Sequence, residues 1–231
     1  MDNAIGTTDA VEEYTTAEYL AEAGDFLRTL ASTLYKELSQ DQIDALAQID
    51  FMGMSETTEN AELSEGFHTL GRYLRRRGVN ARQDLAVEYA RIFLAAGVTD
   101  ENCATPYESV FTSPEGLLMQ DARDQVVKVY RSQGFKVDPS LNDPEDHLAF
   151  ELQFLAGMCD KTRDALEEGL PTDELVAVQV DFIDAHILNW IDRLTARVDT
   201  CATLAFYTSV MRIIKGYIVE HRAILSNLIA E

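Results

Sequence analysis

Residues 204–228 read LAFYTSVMRIIKGYIVEHRAILSNL, and this stretch determines the fold class. Its apolar positions follow one another in steps of three and four residues, and one histidine lies among them. The members of this stripe are Leu204, Tyr207, Met211, Ile214, Ile218, His221, Leu225 and Leu228. Such spacing places them all on one face of an α-helix, because 3.6 residues make one turn. The sequence therefore predicts a long C-terminal helix with a continuous buried seam.

The same helical period recurs through most of the chain, and the alternation that is typical of β-strands is almost absent. A second apolar series steps by three and four residues from Val176 to Leu194. Further helices are expected over residues 15–38, 60–77 and 81–95. We therefore predict an all-α protein, a single helical-bundle domain of about ten helices that covers residues 1–231.

Several short segments carry the residues that open helices. A hydroxyl, carboxylate or amide side chain caps the first turn, and proline is tolerated at the first helical position. The segments are Ser39 to Gln42, Thr105 to Glu108 with Pro106 between them, Ser113 to Glu115, and Asp143 to Leu148. A helix is predicted to begin at each of them, and the helix over 60–77 is predicted to end at Gly78.

Two stretches interrupt the helical pattern. Residues 96–113 are polar and mixed, and residues 134–143 read GFKVDPSLND, with Gly134 and Pro139. Glycine and proline interrupt regular structure. The second stretch separates the two halves of the chain, so we predict a hinge there, which would join two subdomains.

The charge of the chain is strongly negative. Its 231 residues include 19 basic and 40 acidic side chains, a net charge of −21. Residues 1–71 carry two basic and fifteen acidic side chains, a net charge of −13. Nucleic acids and anionic membranes attract cationic surfaces, so neither nucleic acid nor a stable membrane association is expected. The acidity either serves solubility or attracts a basic segment of a partner.

The cellular location and the absence of a cofactor are both predicted from signals that the sequence lacks. No apolar run approaches the roughly 20 residues that cross a bilayer, and the acidic residues 1–30 do not resemble a secretory signal. The three cysteines, Cys103, Cys159 and Cys201, are widely spaced. Disulfide frameworks and zinc sites need closer pairs of cysteines. We expect a protein of the reducing cytoplasm, without a metal or another cofactor.

The segment 143–148, DPEDHL, supports two interpretations. In the structural one it caps a helix, and its carboxylates complement the positive end of the helix dipole. In the other, Asp146, His147 and Glu151 surround a metal ion or a proton, with His186 as a further ligand, and the protein is a metal-dependent hydrolase. A loss of stability in a His147→Ala variant would favour the structural interpretation.

This acidic chain contains one basic cluster, formed by Arg72, Arg75, Arg76, Arg77 and Arg82. The cluster either balances nearby acids at the C-terminal end of a helix or contacts a phosphate. The second option leads to a nucleotide-responsive helical regulator, although no glycine-rich phosphate loop accompanies the cluster. The residues alone thus indicate an acidic helical protein without a visible catalytic centre.

Several segments, taken in order, are similar to the TorD/DmsD/NarJ family of redox-enzyme maturation chaperones. The similar segments are Asp84 to Phe93, Pro106 to Phe111, Val129 to Phe135, Pro144 to Leu155, His186 to Trp190, and Phe206 with Tyr207. Each segment is short, but their succession over residues 84–210 is specific. The chain departs from the family pattern at Thr105, where the family often has a proline, so the preference for a client does not transfer.

This resemblance implies an all-helical chaperone rather than an enzyme. Such proteins bind the apo catalytic subunit of a molybdopterin oxidoreductase of the dimethyl-sulfoxide or trimethylamine-oxide reductase type. They also hold its N-terminal twin-arginine leader until the cofactor is inserted, which prevents premature export.

The resemblance also implies site residues and two oligomeric states. The positions that correspond to leader- or client-binding residues of the family are Pro106, Tyr107, Ser109, Pro144, Asp146 and His147. From its position beside Asp146, we further hypothesise that His147 hydrogen-bonds the leader backbone and that its protonation tunes release. A His147→Ala variant would then bind the leader more weakly at a nearly unchanged melting temperature. Some family members form domain-swapped dimers, so both a monomer and a homodimer swapped through residues 134–143 stay open.

Overall fold

The computed structural model describes residues 15–94 and 103–230 of the chain. In these ranges the chain forms eleven α-helices and no β-strand, which confirms the predicted all-α class. The helices are α1 (Thr16–Tyr35), α2 (Gln40–Leu46), α3 (Phe51–Thr57), α4 (Ala61–Arg76), α5 (Ala81–Phe93), α6 (Glu108–Thr112), α7 (Asp121–Ser132), α8 (Leu148–Glu167), α9 (Asp173–Phe182), α10 (Ile191–Cys201) and α11 (Ala205–Ala230). A 3₁₀ turn at Pro139–Leu141 precedes α8, and a π-helical turn at Ile183–Ile187 follows α9.

The C-terminal helix α11 lies at the centre of the core. The members of its predicted stripe are buried, apart from Leu204 and Leu228 at the two ends, which are partly buried. Helix α11 packs along α4, and α1 packs along α8, so these four helices make up the main body of the bundle. Removing a continuous apolar seam from water is the dominant favourable contribution to folding.

Helices α1 and α2 begin where the sequence predicts. At the start of α1, Thr15 accepts a hydrogen bond from the Glu18 amide, and the Glu18 carboxylate accepts one from the Thr15 amide. Ser39 and Gln42 open α2 through the same reciprocal pair, as predicted. Both capping boxes form because each partner lies within one helical turn of the other.

The predicted helix starts near residues 105 and 143 are wrong. Helix α6 begins at Glu108 without a cap from Thr105, and α8 begins at Leu148 rather than just after Asp143. The two segments instead pair with each other as an isolated antiparallel bridge between Tyr107 and His147. Because the backbone amides are satisfied across this long-range contact, the local capping signals are not used.

Three smaller predictions are also corrected. Ser113 ends α6 rather than opening a helix. Gly78 follows α4 without the positive φ of a glycine cap. The apolar series from Val176 to Leu194 is divided between α9 and α10 by the π-helical turn, although most of its members are buried as expected.

The predicted hinge region connects α7 to α8. Gly134 follows α7 with a φ of 76°, a backbone conformation that a residue with a Cβ atom rarely adopts. Phe135 packs against Tyr130 and Phe154, with ring centroids 4.9 and 5.6 Å apart. The start of the connector is therefore anchored in the core, and its role as a hinge stays a prediction.

Residue 95 of the predicted helix 81–95, and residues 96–102 of the predicted interruption 96–113, lie outside the described residues. The described helix ends at Phe93. Among the helices that the structure describes, none is both long enough and apolar enough to cross a membrane.

Helices α4 and α11 approach closely at two glycines. A Cβ atom placed on Gly66 would lie 2.8 Å from Cγ1 of Ile213 and 3.1 Å from its backbone nitrogen. On the facing helix, a Cβ atom on Gly216 would lie 3.1 Å from the backbone nitrogen of Leu63. This backbone-to-backbone contact sets the distance between α4 and α11. Helix α3 also packs against α4, and α1 packs against α11.

A Gly66→Val substitution is expected to lower the free energy of unfolding by about 2 kcal/mol or more, because overpacking forces the two helices apart. The matched control is Gly78→Val, where nothing lies within 4 Å of the added Cβ and a change within about 0.5 kcal/mol is expected. Urea unfolding followed by circular dichroism measures both. Equal stability of the two variants would contradict the close crossing.

Candidate functional site

Residues 106–109 and 143–148 meet at the start of α8, and we call them together the motif junction. The Leu148 amide donates to the Pro106 carbonyl, and the Glu108 amide donates to the Asp146 carbonyl, both at 2.9 Å. The junction contains all six residues that the resemblance associates with binding: Pro106, Tyr107, Ser109, Pro144, Asp146 and His147. Residues that are distant in sequence therefore lie in one place.

Asp146 joins the two halves of the motif junction. Its Oδ2 accepts a hydrogen bond of 2.8 Å from the Ser109 amide, and the Ser109 hydroxyl accepts one of 3.1 Å from the Gln120 amide. The Asp146 side chain is fully buried, and burial raises the pKa of its carboxyl group. The Asp146 carboxylate, expected to complement a helix dipole, binds the Ser109 amide in the first turn of α6.

His147 is the cap of α8. Its Nδ1 accepts a hydrogen bond of 3.0 Å from the Ala149 amide, and its ring packs edge-on against Tyr107 at 4.9 Å. Only 3% of the residue is exposed, and burial lowers its pKa to about 4. Burial thus favours the neutral imidazole in this structure, which gives no support to release tuned by protonation. The capping contact of His147 fits the structural interpretation.

Tyr107 and Tyr35 hold the outer side of the motif junction. The Tyr107 hydroxyl donates to Oδ1 of Asp143 at 3.1 Å, and the Tyr35 hydroxyl donates to Oδ2 of the same carboxylate at 2.8 Å. Burial, together with the Asp143 charge, raises the pKa of both phenols. Asp143, expected to cap a helix, instead ties α1 to the motif junction.

The six site residues differ in accessibility. Four of them, Pro106, Ser109, Asp146 and His147, are buried, whereas Tyr107 and Pro144 are partly exposed. A side chain without exposed surface cannot touch a partner unless the structure opens. In this structure the four buried residues therefore offer no surface to a partner.

Glu108 connects the motif junction to the π-helical turn. Its Oε1 accepts a hydrogen bond of 2.9 Å from the Asn189 side chain, and its Oε2 lies 3.0 Å from Nδ1 of His186. The Trp190 indole donates to the His186 carbonyl at 2.5 Å. Sequence reasoning missed this role, because Glu108 was assigned to a capping box with Thr105.

Glu151 places a further carboxyl group in the core beside the motif junction. The residue is fully buried, and within the described part of the chain neither of its carboxyl oxygens has a hydrogen-bond partner. Burial, with the nearby charges of Glu108 and Asp146, raises its pKa well above the usual value. Burial therefore favours the protonated form of Glu151, and sequence spacing alone gives no sign of this.

The proposed metal ligands do not form a metal site. The lone pair on Nδ1 of His147 already accepts the Ala149 amide, and His186 faces Glu108. In residues 15–94 and 103–230, no group of three or more histidine, cysteine, aspartate or glutamate side chains is arranged to hold a metal ion. The geometry thus gives no support to a metal-dependent hydrolase.

An exposed apolar segment lies next to the motif junction. Leu117, Leu118 and Met119 are 56%, 45% and 61% exposed, and we call residues 117–119 the apolar edge. The Gln120 amide binds the Ser109 hydroxyl, so the junction fixes where this segment lies. A cavity of about 730 Å³ opens beside it, lined in part by Phe111. Contiguous exposed apolar side chains mark binding surfaces.

Two members of the arginine cluster, Arg75 and Arg77, make ordinary ion pairs. Arg77 lies 3.1 Å from Asp44, and Arg75 lies 3.8 Å from Asp50. The Arg77 guanidinium also donates to the Leu74 carbonyl near the end of α4. These two ion pairs fit the interpretation in which the cluster balances neighbouring acids.

These features are typical of a protein-binding domain: a helical bundle in which buried polar contacts position an exposed apolar surface. The chain belongs to the nitrate reductase delta subunit family, which it matches over residues 58–196.

Three relatives are named chaperone protein TorD. The protein of Vibrio cholerae serotype O1 is 30% identical over 207 residues, which cover 87% of this chain and 91% of that protein. The protein of Vibrio parahaemolyticus serotype O3:K6 is 28% identical over 190 residues, with 81% and 86% covered. The protein of Photobacterium profundum is 24% identical over 192 residues, with 81% and 87% covered. The resemblance to the TorD/DmsD/NarJ chaperones is thereby confirmed, and a chain of this family is not an enzyme.

Replacing His147 by alanine is expected to lower the free energy of unfolding by about 1–2 kcal/mol, because the helix cap is lost. The contact with the Tyr107 ring is lost as well. Urea unfolding measures the change. The control is His68→Ala on the exposed face of α4, for which a change within about 0.5 kcal/mol is expected. An unchanged stability of His147→Ala would contradict the capping role.

A Glu151→Gln variant tests the buried carboxyl group. Above about pH 4.5 the unfolded chain releases this proton while the folded protein keeps it, so the stability of the wild type falls as pH rises towards the raised pKa. The variant lacks this pH-dependent contribution to the free energy of unfolding. Its stability relative to the wild type should therefore increase with pH, by up to about 1.4 kcal/mol per pH unit.

Urea unfolding between about pH 5 and pH 8 measures this difference. Glu65→Gln, on the exposed face of α4, is the matched control. A difference between Glu151→Gln and the wild type that stays constant across this range would show that Glu151 is ionised in the folded protein.

Proposed function

We propose that this protein is a cytoplasmic chaperone for the assembly and export proofreading of a molybdopterin oxidoreductase of the dimethyl-sulfoxide or trimethylamine-oxide reductase type. It binds the apo catalytic subunit and its N-terminal twin-arginine leader. The observation that carries the proposal is the apolar edge, held beside the motif junction in a chain whose relatives are named chaperone protein TorD.

The six site residues act in this proposal mainly through their effect on shape. Asp146 binds the Ser109 amide, and Ser109 in turn binds the Gln120 amide. This sequence of hydrogen bonds fixes the segment that immediately precedes Gln120. Pro106 and His147 close the motif junction from the two sides, and Tyr107 and Pro144 add partly exposed surface. Loss of any buried member would displace the client-binding surface.

The apolar edge suits an incompletely folded client. An apo subunit exposes apolar surface that the finished enzyme buries, and exposed leucine and methionine side chains cover such surface. Methionine is flexible and polarisable, so Met119 adapts to irregular surfaces. The chaperone needs no cofactor of its own for this role, since it recognises the state of the client by binding alone.

A tagged version of the chain is expected to capture a molybdopterin oxidoreductase subunit from anaerobically grown source cells, with its leader still attached. Mass spectrometry identifies the captured protein and its N-terminus. Capture of general chaperones alone, from cells that make such a reductase, would contradict the proposed function.

A double substitution, Leu118→Ser with Met119→Ser, is expected to weaken binding of the captured subunit roughly tenfold or more, because apolar contacts at an interface centre dominate affinity. Both side chains are exposed, so the melting temperature should hardly change. The matched control is Leu170→Ser, which removes an equally exposed leucine outside the apolar edge. Titration of the purified subunit by calorimetry measures the affinities, and equal weakening by both variants would exclude the apolar edge as the binding surface.

A further inference from the structure

Met119, in the apolar edge, is the most exposed methionine of residues 15–94 and 103–230. Its exposed fraction is 61%, whereas Met158 and Met211 are 2% and 0% exposed. Met52 and Met54 are partly buried. A dissolved oxidant reacts with a thioether only where it can reach the sulfur. Among the described methionines, Met119 is therefore the one that such an oxidant reaches most readily.

The backbone of Met119 has an unusual conformation. Its φ is 58°, in the left-handed region, and the one other non-glycine residue with a positive φ in the described chain is Asn142. Asparagine tolerates this region, whereas a long apolar side chain is rarely found there. Strain of this kind persists where the surrounding structure enforces it, and it is common at functional positions. A methionine at this position, rather than a glycine or an asparagine, indicates that the side chain itself has a role.

Hydrogen bonds on both sides of Met119 enforce this conformation. Before it, the Leu117 amide donates to the Ser113 hydroxyl at 3.2 Å. After it, the Gln120 amide donates to the Ser109 hydroxyl at 3.1 Å. A rotation of the backbone would break these contacts, so the Met119 side chain stays on the surface instead of turning inward. A chemical change at its sulfur therefore alters the surface without disturbing the core.

The cysteines are weaker candidates for oxidation. All three, Cys103, Cys159 and Cys201, are buried. Burial raises the pKa of Cys159 to about 12 and also raises the pKa of Cys201. Hydroperoxides react with the thiolate much faster than with the thiol, so burial and a raised pKa both protect these two side chains.

We propose that Met119 is a site of reversible oxidation by hydroperoxides, and that its sulfoxide switches off the apolar edge. The second part rests on the proposed function. The sulfur attacks one peroxide oxygen and forms an S–O bond while the O–O bond breaks. The second oxygen leaves and takes up the proton of the first, so the thioether is oxidised by two electrons and hydrogen peroxide is reduced to water. Hydrogen peroxide is uncharged, so the net charge of −21 does not repel it.

Oxidation changes the polarity of the apolar edge. The sulfoxide oxygen is a strong hydrogen-bond acceptor, and burying it against an apolar client surface without a donor costs free energy. The reduced protein therefore binds the apo subunit, and the oxidised protein releases it. A methionine sulfoxide reductase, with a thiol as electron donor, restores the thioether and with it the binding surface.

The first measurement locates the oxidation. The full-length protein is treated with hydrogen peroxide, the excess is removed with catalase, and its peptides are mapped by mass spectrometry. Met119 is expected to be oxidised roughly tenfold faster or more than Met158 and Met211, because those two side chains are closed to the oxidant. Equal rates at the three positions would overturn the inference.

The second measurement follows binding of the apo subunit that the tagged chain captures, by calorimetric titration before and after peroxide treatment. The affinity of the wild type is expected to fall roughly tenfold, and its melting temperature should shift by less than about 2 °C. Treatment with a methionine sulfoxide reductase should restore the original Kd. Met119→Leu cannot form the sulfoxide but keeps every other methionine. Its Kd before and after peroxide, whatever its value, should agree within about twofold.

The matched control places a methionine at a similarly exposed position outside the apolar edge. Leu170 is 54% exposed, and Leu170→Met combined with Met119→Leu should be oxidised at position 170 without a change in Kd. If Met119→Leu loses affinity after peroxide as the wild type does, or if the combined variant does so, oxidation acts elsewhere and the inference is overturned.

The untreated wild type separates this inference from the proposed function. If it binds the subunit and oxidation of Met119 leaves the Kd unchanged, only the inference is overturned. If the untreated wild type does not bind the subunit, the proposed function is overturned, and the switch is overturned with it, whatever the oxidation state of Met119.

Discussion

The hydrogen bond from the Ser109 amide to the buried Asp146 carboxyl group is the contact on which the rest of the site depends. Two backbone hydrogen bonds flank it, and together they close residues 106–109 onto the start of α8. A buried carboxyl group is costly unless it is hydrogen-bonded. The Ser109 amide satisfies Oδ2 of Asp146, whereas Oδ1 has no hydrogen-bond partner in the described part of the chain. Through the Ser109 hydroxyl, the same contact fixes where Gln120 and the apolar edge lie.

The buried residues that hold the site in shape are therefore different from the exposed residues beside them. The buried members of the motif junction and the carboxyl groups of Glu108 and Glu151 lie inside the protein, where they specify one arrangement of α6, α8 and the π-helical turn. The apolar edge, by contrast, is exposed beside the junction. A substitution in the junction would then affect binding indirectly, through the position of exposed residues.

The long helix α11 and the start of α2 could be predicted from the sequence, because the stripe on α11 and the capping box at Ser39 depend on residues within one or two turns. The starts of α6 and α8 could not be predicted, because the pairing of two distant segments replaces the local caps. The six site residues were named from a family resemblance, which carries no information on burial.

The central claim is that the motif junction supports the binding surface and does not itself contact the client. Hydrogen exchange of the free and the client-bound protein tests this claim most directly. The amides of Glu108, Ser109 and Leu148 should exchange slowly in both states, because their hydrogen bonds persist. Residues 117–119 should gain protection when the client binds. Faster exchange at Glu108, Ser109 and Leu148 in the complex would contradict this claim, since it would show that the junction opens to contact the client.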